Sequence, residues 1–100
     1  MKIIWTLPAK YRLREIFLYY KYKASLRIAR KIKSTIFNST FALSSNSKMG
    51  SREELLKHKK EEYRYLVEGN YKIIYKIDKN IFILDVFDCR QNPEKILLNK

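Results

Sequence analysis

Few side chains in this sequence can titrate or attack near neutral pH. There is one histidine and one cysteine. His58 lies in the run Lys57-His58-Lys59-Lys60. An imidazole titrates near neutrality, and neighbouring like charges depress a lysine, so the run is a candidate general acid–base set. The same residues also read as a solvated charge run in a Glu-rich segment. Cys89 would be a nucleophile only beside a base, and His58 is the sole imidazole. No spacing suits a metal ion, and two glycines cannot form a Gly-rich phosphate loop; no cofactor or metal is expected. What remains is the chemistry of cations. Lys and Arg number 22 against 10 acids, giving +12. Residues 1–50 carry eleven of the cations and a single acid, Glu15. A block of nearly one sign finds an anionic partner: nucleic acid, a machine that handles it, or an acidic protein.

The elements that position these groups follow from hydrophobic period. One hundred residues make one domain. Lys2, Ile3, Ile4 and Trp5 read as a short buried strand, and Thr6-Leu7-Pro8 as the start of a helix that tolerates Pro in its first turn. Leu13, Ile16, Phe17 and Tyr20 then recur at helical spacing. Ser25 is a candidate N-cap for a second helix, with the stripe Ile28, Ala29, Ile32 and Ile36. The short connection implies an antiparallel hairpin holding nine of the 22 cations. Residues 38–52 are polar and read as a loop, with Phe41 and Leu43 extending the helix by a turn. Glu53 to Glu62 is dense in both charges.

From Tyr63 the period becomes 2. Tyr63, Tyr65 and Val67 alternate with Arg64, Leu66 and Glu68. Tyr71, Ile73, Tyr75 and Ile77 alternate with Lys72, Ile74 and Lys76. Ile81, Ile83, Asp85 and Phe87 alternate with Phe82, Leu84 and Val86. Turn residues at Glu68-Gly69-Asn70 and Asp78-Lys79-Asn80 join the runs into an antiparallel meander. Asn92-Pro93-Glu94 could open a short terminal helix. The expected fold is α+β: an N-terminal strand and a basic helical hairpin packed on a small antiparallel sheet. The single cysteine excludes a disulfide framework. No apolar stretch approaches the ~20 residues of a membrane span, so a cytoplasmic location with no membrane partner is expected.

The segment Tyr65-Leu66-Val67-Glu68-Gly69-Asn70-Tyr71-Lys72-Ile73-Ile74-Tyr75-Lys76-Ile77, followed by Val86-Phe87-Asp88-Cys89-Arg90-Gln91-Asn92-Pro93, resembles the RelE/ParE superfamily, the toxins of bacterial type II toxin–antitoxin pairs. Trp5 closing the first strand, Pro8-Ala9 starting the helix, Ala29 and Ile32 in the second helix, and Met49-Gly50 before a charged loop agree with it. The resemblance spans the chain. It implies a toxin neutralised by a cognate antitoxin whose acidic or amphipathic segment binds mainly between sheet and helices, the complex also engaging operator DNA. Arg12, Arg14, Arg27, Arg30, Tyr65 and Tyr71 are the candidates for antitoxin or target binding.

The resembling superfamily divides into ribosome-dependent mRNA endonucleases and inhibitors of DNA gyrase. Cleavage at a 2′-hydroxyl needs a base, an acid and cations for the phosphate. Lys72 stands where ribonuclease members usually carry a phosphate-gripping arginine, although an ammonium lacks arginine's bidentate fork. Arg90 ends the last strand where many relatives have a basic residue. Arg64 and His58 complete the candidate catalytic set; ion pairs with nearby acids are the alternative for Arg64 and Arg90. Ribonuclease relatives commonly present a catalytic Tyr or His near the C-terminus, where this chain reads Lys95-Ile96-Leu97-Leu98-Asn99-Lys100. That departure favours a ParE-like gyrase inhibitor over the RelE-like endonuclease. A nontoxic nucleic-acid-binding module is the third reading.

Overall fold

The computed structural model describes residues 1–53 and 62–89. The chain runs β1 (Ile3–Trp5), α1 (Leu7–Lys23), α2 (Leu26–Ser39), a 3-10 turn (Phe41–Ser44), β2 (Ser51–Arg52), β3 (Glu62–Glu68), β4 (Tyr71–Ile77) and β5 (Ile81–Asp88). Pro8 occupies the first turn of α1. Thr6 does not cap that helix with its side chain. Its N–H and hydroxyl instead donate to the Ile83 carbonyl, at 3.1 and 2.7 Å, which ties the helix start to β5. Ser25 does cap α2: its Oγ accepts from the Ile28 N–H at 3.1 Å, satisfying a donor that has no partner within the helix.

The expected α+β architecture is the one adopted, but the sheet is mixed rather than antiparallel. Its order is β1-β5-β4-β3-β2. The β3–β4–β5 meander is antiparallel, whereas β1 runs parallel to β5, Ile3 facing Ile81 and Trp5 facing Ile83. Hydrophobic pattern marks a strand but carries no information on its direction. The two-residue strand β2, pairing Ser51 with Tyr65 and Arg52 with Arg64, is too short and too polar to leave a pattern.

The helices cover one face of the sheet. Ala9, Leu13 and Ile16 of α1 and Ile36 of α2 meet Ile73, Tyr75, Ile81, Ile83 and Val86, with Leu43 of the 3-10 turn wedged alongside. A fully buried aliphatic side chain here contributes roughly 1.5–3 kcal/mol over an exposed one. Ile74 and Phe87 lie on the other face with Tyr63, Tyr65 and Leu84. Strict alternation puts Phe87 with Ile81 and Ile83, and Val86 opposite. The observed faces are reversed. The register slips where Ile74 faces Asp85 but Tyr75 faces Ile83, and this one-residue bulge flips the side chains that follow it. The Asp85 carboxylate accepts the Val86 N–H there at 2.8 Å, supplying a partner where the ladder is disrupted.

Candidate functional site

Lys72 is on the sheet face away from the helices, beside Phe87 across β4 and β5. Its ammonium is 2.7 Å from Glu53 Oε2 and 4.1 Å from the centre of the Tyr65 ring. The Glu53 carboxylate is only 2% exposed. A charge so deeply buried is retained when paired, and the ring's negative face adds a cation–π contact. The cation that would grip a phosphate is therefore already neutralised by the protein. Glu53 lies just after β2, where its N–H donates to the Tyr63 carbonyl at 2.8 Å.

Arg64 is on the opposite face of the sheet. It pairs across β3 and β4 with Tyr75, whose side chain belongs to the helix-covered core. The guanidinium bonds the Glu62 carboxylate and donates to the Gly50 carbonyl at 2.7 Å. The Arg64–Glu62 hydrogen bond holds the Glu62 carboxyl below its ordinary pKa. Tyr75 fastens the same segment, accepting from the Gly50 N–H at 3.1 Å and donating to the Ser47 carbonyl at 2.8 Å. Burial pushes its phenol upward. Gly50 is required by space: a Cβ there would press into the Tyr65 carbonyl and lie 2.7 Å from the Tyr75 hydroxyl. Arg64 thus works as a clamp on residues 48–52.

A groove between the hairpin and the sheet holds two hollows of about 590 and 420 Å³. They meet at Tyr20 and Tyr71, whose hydroxyls are hydrogen-bonded at 3.1 Å. Arg12 and Lys23 border the larger hollow and Lys31 the smaller, together with Glu15, Glu68 and Asp88. Arg12 is anchored by Asp85, Nε to Oδ1 at 3.1 Å, so its guanidinium is presented in a fixed pose.

The candidate residues therefore fall into separate places. Arg12 and Tyr71 meet in the groove. Tyr65 is half-buried beneath Lys72. Arg14, Arg27 and Arg30 are exposed on the helices. Lys72 and Arg64 are not brought together. His58 and its lysines, Arg90 and the tail beyond it lie outside the described residues. Sequence reasoning missed Glu53 and Asp85 as partners of Lys72 and Arg12. The available signal was an acid interrupting an apolar strand at Asp85; nothing in the sequence pointed from Glu53 to Lys72. Among the described residues no group of three or more His, Cys, Asp or Glu could hold a metal ion, and no helix is long and apolar enough to cross a membrane.

The chain is similar in fold to a solved structure from the chromosomal ParDE toxin–antitoxin system of P. aeruginosa. The TM-score is 0.74 at 20% identity, over 88% of this chain and 95% of that one. No curated protein matches it significantly. Residues 3–93 match the family model described as the ParE toxin of the type II toxin–antitoxin system, parDE. With the match running from the first strand past the last, the chain belongs to the ParE toxin family of type II toxin–antitoxin systems.

Proposed function

We propose that this toxin acts in the cytoplasm by binding DNA gyrase and blocking it, without itself catalysing a reaction. Its cognate antitoxin neutralises it by laying an acidic or amphipathic segment into the groove around Tyr20 and Tyr71, and the complex binds operator DNA. The observation that carries the non-catalytic reading is the placement of Lys72 and Arg64. They project from opposite faces of the sheet, and each is neutralised by a carboxylate. They cannot converge on one scissile phosphate, and releasing Lys72 would leave a buried carboxylate behind. The groove suits an amphipathic segment because tyrosines offer apolar area with a polar tip.

Induced expression tests the target. SOS induction and filamentous cells, together with loss of supercoiling by purified gyrase on adding the toxin, are the expected results. Transcripts cut in translating ribosomes, with gyrase unaffected, would replace this reading by the endonuclease. Normal growth with the folded protein present would leave only a nontoxic binding module.

A further inference from the structure

The helical hairpin is fastened to the sheet at one end. Its contributions to the core are Ala9, Leu13 and Ile16 of α1 and Ile36 of α2. They come from the first ten residues of α1 and the last turn of α2. The polar ties are at that end too: Thr6 bonds the Ile83 carbonyl and Arg12 the Asp85 carboxylate. Toward the connection between the helices, Tyr20 and Ile32 pack on the core, and both are only partly buried. Tyr19, Tyr22, Leu26 and Ile28 in this half are exposed.

The groove lies beneath this connected end. Lys23 and Ala24 line the larger hollow from the hairpin and Asp88 from the sheet; Thr35 and Gly69 do the same for the smaller. Close packing is what fixes one element against another, and an element with few buried apolar contacts opens at low free energy. A hydrogen bond spans the gap. The Tyr71 hydroxyl donates to that of Tyr20, 51 residues away in sequence, at 3.1 Å, where the two hollows meet. The net strength of such a neutral bond is small, so it can part and re-form.

We propose that the connected end of the hairpin is a lever, latched to the sheet by the Tyr20–Tyr71 bond and turning about the core contacts of Leu13, Ile16 and Ile36. Parting of the latch joins the two hollows into one open channel. The residues from Ile16 to Lys23 make an arm of about 10 Å, so a turn of about 20° carries its end about 4 Å. Neither helix has a Gly, and the only Pro is in the first turn of α1, so the arm moves without kinking. The lever follows from packing alone. Its part in antitoxin capture rests on the groove reading given above. A receptive state that is a minor population weakens binding in proportion to its scarcity, so loosening the latch promotes capture.

Spin labels at Ala24→Cys and Val67→Cys, in a full chain carrying Cys89→Ser, read the distance from the lever's end to β3 by double electron–electron resonance. Lys23→Cys replaces Ala24→Cys if circular dichroism shows that the label disturbs the helices. A main distance with a minor population about 4 Å longer is expected. Tyr20→Phe and Tyr71→Phe each remove one hydroxyl and keep the ring. Either should raise the longer population about two- to tenfold. The double variant should match the singles rather than multiply them, because each loss breaks the same bond. Association with the purified cognate antitoxin should quicken by the same factor. Unchanged distances in both Phe variants, or effects that multiply in the double variant, would overturn the lever whatever the antitoxin does. Shifted distances with an unaltered association rate would support the lever and overturn the groove as the antitoxin's site.

Discussion

Replacing Lys72 by methionine removes the ammonium but keeps much of the aliphatic stem. The Glu53 carboxylate, 2% exposed, then loses the cation 2.7 Å away. Breaking a buried pair by deleting one partner costs about 3–5 kcal/mol, far more than the net worth of the pair. Because Lys72 retains 19% of its side-chain exposure, and the Tyr65 contact at 4.1 Å is lost as well, about 3 kcal/mol is the reasoned loss. For a chain of this size that lowers Tm by roughly 12–24 °C, and urea denaturation reads the same loss as a lower midpoint at unchanged slope. Adding Glu53→Gln removes the buried carboxylate's charge and should recover at least half of the loss. The double variant also addresses function. A fold-restored toxin that blocks gyrase keeps its growth arrest without Lys72, whereas an endonuclease gripping phosphate with Lys72 stays inactive. A single-variant loss below about 1 kcal/mol, the range of surface pairs, would refute the reasoning, as would a double variant no more stable than Lys72→Met alone.

The bulge makes a similar demand on Asp85, which holds both Arg12 and the Val86 N–H. Asp85→Ala is expected to lower stability by about 2–3 kcal/mol, an unsatisfied buried donor being the larger part, and thermal denaturation checks it. Acid should loosen residues 48–52 first. Glu62 titrates below its unfolded value because of Arg64, so its stabilisation is complete above the unfolded pKa and is lost as pH falls through the folded one. Tyr75 has the opposite sign: its raised pKa gives stability that is full below about 10 and is lost as pH climbs through the folded value. The protection of the Gly50 amide, its exchange rate relative to the intrinsic rate at each pH, should fall at each extreme and stay high between them.

The hairpin, the meander and the separation of charge were legible in the sequence because each depends on local spacing. Leu13 and Ile16 share a helix face whatever they pack on, and Ser25 caps its helix with residues three positions away. The alternation of β3 and β4 needed no knowledge of their neighbours. The family was legible too, carried by the Gly69-Asn70-Tyr71 turn and the Arg90-Gln91-Asn92-Pro93 stretch together.

What only the tertiary structure decided was how side chains distant in sequence neutralise one another. Lys72 reads as a cation free to grip a phosphate until β2 brings Glu53 beneath it. Arg64 reads as its partner until the register puts the two on opposite faces. One bulge residue in β5 exchanged Val86 and Phe87 between the layers, because a period of two cannot absorb an insertion. The parallel pairing of β1 was likewise invisible, since strand direction is set by where the connecting hairpin returns the chain. Composition determined that this protein would be a polycation in search of an anionic partner. The fold determined which cations were left for that partner, because an ion pair between chain-distant residues exists only once the sheet and helices have closed around it.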